Sequence, residues 1–171
     1  MKRLLLALLA LVVGNGCSRQ SDSSPKPPIR SLEDIRQLPV GISVQHNPNP
    51  AHAVLGGRSG RKYTWPIRTT VSAINEDVTI IEFGAFVEWN GEWVFSTLTG
   101  EPFTPQDFAE WYSCEGASLS LGEDVTDPNN WGGGDKLMDS KAIWYFIGET
   151  KDGKRCYGEG EIVELGQLVG E

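Results

Sequence analysis

Val78 to Trp89 (VTIIEFGAFVEW) is the strongest strand signal in the chain, and it runs directly into Asn90-Gly91 and a second β-rich run, Glu92 to Leu98 (EWVFSTL). Asn-Gly supplies two residues that tolerate the positive φ a type I′ turn demands, so the two runs fold back as an antiparallel hairpin. Counting outward from the turn pairs Trp89 with Glu92, Val87 with Val94 and Phe86 with Phe95. One face then carries Phe83, Ala85, Val87, Trp89 and Val94, and the other Ile80, Phe86, Trp93 and Phe95. Both faces are apolar, which places the hairpin centrally in a sheet covered at least in part on each side.

The rest of the chain repeats the same vocabulary. Thr64 to Ile74 (TWPIRTTVSAI) reads as a strand, with Pro66 marking an edge or a strand start. Lys141 to Thr150, Asp152-Gly153 and Lys154 to Leu165 form a second hairpin, and Ala117 to Leu121 a short strand. Between the hairpins, Phe103-Thr104-Pro105-Gln106-Asp107-Phe108 is a helix start: Thr104 at the N-cap, Pro105 at N1, Asp107 at N3, and Phe103 stapled to Phe108. At 171 residues the chain holds one ordinary domain. Short strands, turn dipeptides and one small helix near 105–113 predict a mainly β fold, an antiparallel β-sandwich or a partly open β-barrel. The body is expected over residues 63–171, after an irregular, basic stretch at 41–62 that includes Asn47-Pro48-Asn49-Pro50 and Gly56-Gly57-Arg58-Ser59-Gly60. The glycine run lacks the spacing of a phosphate loop, and no strand feeds it.

Few residues assemble into recognisable chemistry. The two histidines, His46 and His52, fall in the irregular stretch and read as solvated loop residues rather than zinc ligands. No GxSxG, HExxH or well-placed GxGxxG is present. The stretch Gly122 to Asp139 (GEDVTDPNNWGGGDKLMD) reads as a solvated, turn-rich loop. Its oxygen donors Asp127, Asn129 and Asp135 are candidate calcium ligands, without EF-hand spacing. Trp131 lies in that loop, outside any strand or helix pattern, and is the candidate aromatic for gripping a ligand; the other five tryptophans read as core. Cys114 and Cys156 are the two cysteines of the body. A disulfide between them would close a loop of about 42 residues and contribute about 3–4 kcal/mol; the alternative is two separate buried thiols.

The N-terminus is an address. Met1-Lys2-Arg3 is followed by ten apolar residues, Leu4 to Val13, and then Gly14-Asn15-Gly16-Cys17, the layout of a secretory signal over residues 1–16. As a helix the apolar run rises about 15 Å, roughly half of a bilayer core, too short for a permanent span. Cys17 directly after Gly16 resembles the lipobox of bacterial lipoproteins, with Gly14 and Asn15 where the usual pattern has Leu and Ala or Ser. The resemblance implies that Cys17 is lipidated and becomes the new N-terminus, and that Ser18 directs the protein onward from the inner membrane. Residues 17–40, anchor cysteine and Ser/Pro-rich linker, then form a tether.

Charge divides along the same line. Residues 17–68 hold eight basic and three acidic residues, and residues 69–171 hold five basic and twenty acidic. The acidic body argues against a nucleic-acid partner. The basic segment is expected either on an anionic membrane surface or packed against the body. Together these features predict an exported, lipid-anchored envelope protein that acts by binding an envelope protein or polysaccharide. The rivals are an extracytoplasmic hydrolase of envelope polymers and a carbohydrate- or calcium-binding module.

Overall fold

The computed structural model describes residues 30–169; the signal segment, Cys17 and the tether up to residue 29 lie outside the described residues. A short helix, α1 (Leu32–Ile35), precedes β1 (Ile42–Asn47), β2 (Ala51–Leu55), β3 (Tyr63–Ala73), β4 (Val78–Trp89) and β5 (Glu92–Phe95). Helix α2 (Pro105–Trp111) follows, then β6 (Ser118–Leu119), β7 (Asp124–Gly134), β8 (Ser140–Thr150) and β9 (Arg155–Leu168). Strand order is β1-β3-β2-β9-β8-β4-β5, with β6 on β4 and β7 on β3. The β4–β5 hairpin has the register counted from Asn90-Gly91, Val87 opposite Val94 and Phe86 opposite Phe95. The second hairpin pairs β8 with β9 from Glu149–Arg155 to Ser140–Glu164. The fold is mainly β: β1, β3 and β7 curl into a half-barrel that faces the β9-β8-β4-β5 sheet in a sandwich-like arrangement.

Two apolar layers cover the central sheet, one on each face. Inside, Phe83 of β4 is the hub of a ring cluster, with Phe103 at 5.0 Å, Trp111 at 5.4 Å, Phe146 at 5.5 Å and Phe108 at 5.7 Å between centroids. Helix α2 is pinned there by its capping box: the Thr104 hydroxyl accepts from Asp107 N, and Asp107 accepts from Thr104 N. Phe103, expected against Phe108, turns onto Trp111 instead, 4.6 Å away. Outside, Leu32 and Ile35 of α1 pack with Phe86, Ile143, Tyr145 and Ile147. The Tyr145 hydroxyl donates to buried Glu82 at 3.0 Å. Burial raises the Glu82 carboxyl above the usual carboxylate range, against the opposing pull of the Tyr145 hydroxyl and the Arg30 guanidinium. Ile80 sits inside with Phe83, not on the Phe86 face, because a bulge between Ile80 and Glu82 shifts the alternation by one residue.

Sheet and half-barrel meet where β1 crosses the inner face of β9, and two glycines permit the approach. A Cβ on Gly158 would stand 2.7 Å from Ile42 Cβ, and one on Gly160 would stand 2.8 Å from His46 Nε2. Neither position has room for a side chain. The stretch 41–62, expected to be irregular, is therefore structural: Ile42, Ala51 and Ala53 are core residues, and the body begins at α1 rather than at Tyr63. The Pro-Asn cluster is only the connection between β1 and β2. Residues 122–139, expected as a loop, contain the eleven-residue strand β7. Its breakers are tolerated because it pairs with β3 alone and because Pro128 sits at a register shift, between the Ile67–Asn130 and Thr69–Asp127 pairs.

The anticipated disulfide is absent. Cys114 and Cys156 are both free and buried. The Cys114 thiol donates to Ser118 O at 3.0 Å, while Cys156 lies against Gly41, where a Cβ would come within 2.7 Å of its sulfur. The basic segment packs against the body: Arg36 reaches Glu159 at 2.7 Å, Arg61 reaches Asp135 at 2.9 Å, and Arg30 lies 3.6 Å from Glu82.

Because the obstruction at Gly158 is the backbone of Ile42, Gly158→Ala is expected to lose about 3 kcal/mol in urea unfolding. A loss below about 1 kcal/mol would contradict the crossing.

Candidate functional site

Between β7 and the inner faces of β4 and β8 lies a cleft of ≈ 970 Å³, large enough for an extended small ligand. Its two walls have different origins. On the sheet side, Trp144 of β8 stacks on Phe103 at 6.3 Å and 10°, and Trp111 of α2 meets the same Phe103 edge-on. Trp131 of β7 also lines the cleft, from the face of that strand opposite the one where Gly132 meets Glu164. The register sets it opposite Pro66 of β3, and its ring lies over the next glycine but one, so that a Cβ on Gly133 would come within 2.5 Å of it. Three of the six tryptophans thus line one cleft.

Buried carboxylates complete the lining. Asp127 and Glu164 are 6% and 7% exposed. Glu164 faces inward because β9 alternates Gly160, Ile162 and Glu164 toward the interior. Its Oε2 accepts from the Ser140 hydroxyl at 2.7 Å. Gly132 of β7 lies directly against it, and a side chain there would collide with the carboxylate. Asp127 accepts from Asn129 N at 2.8 Å. Desolvation pushes both carboxyls above the usual carboxylate range.

Behind the cleft, one hydroxyl joins two partners. Thr69 Oγ1 is 3.0 Å from His46 Nδ1 and accepts from Asn130 Nδ2 at 2.7 Å. The His46 ring also bonds Gly160 O at 3.0 Å through Nε2. A carbonyl only accepts, so Nε2 carries the hydrogen and Nδ1 of the neutral ring is an acceptor. The Thr69 proton then goes to His46, and one of its lone pairs takes Asn130. The network ties β1, β3, β7 and β9 together, and Asn130 carries it into the cleft wall.

Of the residues singled out by sequence, Trp131, Asp127 and Asn129 come together at the cleft. The calcium set does not converge. Asp135 lies about 26 Å of extended strand from Asp127, at ~3.3 Å per residue, and is engaged by Arg61 and by Lys62 N. Among the described residues no three of His, Cys, Asp and Glu gather for a metal. Cys114 and Cys156 line no part of the cleft. His46, read as a solvated loop residue, is buried in the network, whereas His52 is exposed. Sequence reasoning missed Glu164, Trp111, Trp144 and the Thr69 network. The signals present were the alternations Ile42-Val44-His46 and Gly160-Ile162-Glu164, each placing a polar residue on an inward face. No protein-family model, no curated protein and no solved structure matches the chain.

Two outcomes follow from the network. Thr69→Val is expected to lose about 2–4 kcal/mol, since it strands Asn130 and the His46 ring without partners; a loss under 1 kcal/mol would contradict the shared hydroxyl. Burial also holds the His46 imidazole below its ordinary 6.5. The unfolded chain therefore binds the extra proton first, and this contribution to stability, complete above about pH 6.5, declines as pH falls toward the folded value. The raised carboxyls of Glu82, Asp127 and Glu164 act in the opposite direction, gaining stability as they protonate. The comparison is therefore with His46→Gln, in which those carboxyls cancel. Between pH 7 and 5 the wild type is expected to lose more stability than the variant, and equal slopes in urea unfolding would refute a neutral buried His46.

Proposed function

We propose that this protein is an exported, lipid-anchored component of the bacterial envelope that acts by binding, and that its cleft holds the saccharide part of an envelope polymer. The observation that carries the reading is one cleft lined by three tryptophans, Trp111 and Trp144 on the sheet side and Trp131 on β7, together with Asn130, Asp127 and Glu164. The C–H face of a sugar ring stacks on an indole, and its hydroxyls need polar groups in the same cleft. The resemblance of residues 1–17 to a lipoprotein signal supplies the location. Among the described residues no helix is long and apolar enough to cross a membrane.

Trp131 is the variant of choice, because it stands on an edge strand away from the ring cluster around Phe83. Trp131→Ala is expected to weaken oligosaccharide binding about tenfold, about 1.4 kcal/mol, with the fold intact by circular dichroism. Unchanged affinity in a tryptophan-fluorescence titration would remove the cleft from the binding reaction. For the anchor, Cys17→Ser is expected to move the protein from the membrane fraction to the soluble fraction, and unchanged fractionation would refute lipidation.

One observation favours a second reading, a hydrolase of envelope polymers: Asp127 and Glu164 are two carboxylates with raised proton affinity lining one cleft, the equipment of acid–base chemistry on glycosidic bonds. Under that reading, product appears on prolonged incubation with oligosaccharide and vanishes in both Asp127→Asn and Glu164→Gln. Intact oligosaccharide after incubation with the wild type would leave binding alone.

A further inference from the structure

The cleft carries an imbalance of charge that a neutral sugar does not answer. Its lining contains the carboxylates of Glu110, Asp127 and Glu164 and one guanidinium, Arg61. Arg61 is already committed, paired with Asp135 at 2.9 Å. Arg58, the nearest other cation, donates to the Asn129 carbonyl and offers Asp127 only a long-range attraction. Glu164 is the extreme case. Its side chain is more than nine-tenths buried, yet its one hydrogen-bond donor among the described residues is the neutral Ser140 hydroxyl on Oε2. The Gly132 backbone stands directly against Oε1, with no side chain between them. A carboxylate removed from water in this way takes up a proton or draws in donors and positive charge. Trp144 and Trp111 line the same cleft on the sheet side, and indole ring faces attract cations.

Resting on the saccharide reading above, we infer that the ligand of this cleft is cationic: an amine-bearing saccharide whose ammonium group sits against Glu164 while its ring is held on the Trp111–Trp144 wall. The two halves of the site then have separate work. The indoles hold the ring whatever its charge, and Glu164, with Asp127 and Glu110 behind it, selects the ammonium form over its N-acylated counterpart. The acidic surface of residues 69–171 favours the same ligand at longer range.

The matched probes are a glucosamine tetramer and its N-acetylated form, titrated into the full-length protein at about pH 6, where the free amines are protonated; choline serves as a cation without a sugar. The amine tetramer is expected to bind at least tenfold more tightly than the N-acetyl tetramer. Added salt should erode that preference, because only the charged contact is screened. Glu164→Gln, which keeps an oxygen for Ser140, is expected to remove the preference of the cleft for the amine tetramer. Should that variant fail to fold, exposed Glu110→Gln and the salt series on the wild type carry the test; Glu110→Gln should lower the preference about threefold. Equal binding of the two tetramers, or a preference that survives both salt and Glu164→Gln, overturns the cationic ligand and leaves the saccharide reading standing. Binding of choline that is lost in Glu164→Gln, with neither tetramer bound, keeps the charge selection and overturns the sugar. No binding of any of the three probes overturns both.

Discussion

The hydroxyl of Thr69 is the point on which the structure turns. It sits on β3 in the half-barrel, gives its proton to His46 of β1 and receives a hydrogen bond from Asn130 of β7. Through the other nitrogen of His46 it is linked to Gly160 of β9 in the opposing sheet. An apolar core fixes which residues go inside but is tolerant of small shifts. A shared hydroxyl and a neutral imidazole are not, since each has a set number of protons and lone pairs. The consequence is positional. β7 is held to β3 with Asn130 inward, and the cleft between β7 and the central sheet keeps a fixed width.

The hairpins were legible because their signals are local. Asn90-Gly91 sets the register of four residue pairs without reference to the rest of the molecule, and Thr104-Pro105 with Asp107 does the same for the start of α2. Residues 41–62 and 124–134 were not legible, for the same physical reason. Both are strands whose right to exist comes from a distant partner. β1 is stabilised against β3 and the glycines of β9, and β7 exists as the outer strand on β3 despite Pro128 and three consecutive glycines. Local propensity counts those residues as breakers, whereas tertiary pairing uses them: the proline at a register shift, the glycines where Glu164 and the Trp131 ring need space. The cleft was legible to the same degree. Trp131 stood out because it interrupts a polar stretch and Asp127 because it lies among oxygen donors, while Glu164 was hidden inside a strand-like run and His46 beside the Pro-Asn cluster.

The charge asymmetry of the sequence takes a definite form in three dimensions. Arg30, Arg36 and Arg61, all from the basic segment, lie against acids of the body. The basic residues of the 30–68 region thus knit the first strands to the rest and are not held apart on a separate arm. The two exposed pairs, Arg36–Glu159 and Arg61–Asp135, contribute little each. Their larger effect is on the cleft, where Arg61 is drawn to Asp135 and the carboxylates of the lining are left without a cation.

The central claim is that Trp111, Trp131 and Trp144 form one binding site between the half-barrel and the sheet. Fluorine NMR of the body labelled with 5-fluorotryptophan tests it directly, because the chain has six tryptophans and single replacements assign each resonance. On addition of a bound oligosaccharide, the account predicts shifts at Trp111, Trp131 and Trp144, with Trp65 in the core and Trp89 and Trp93 on the β4–β5 hairpin unmoved. Shifts confined to Trp89 or Trp93, or a bound ligand that leaves all three cleft tryptophans unmoved, would contradict it.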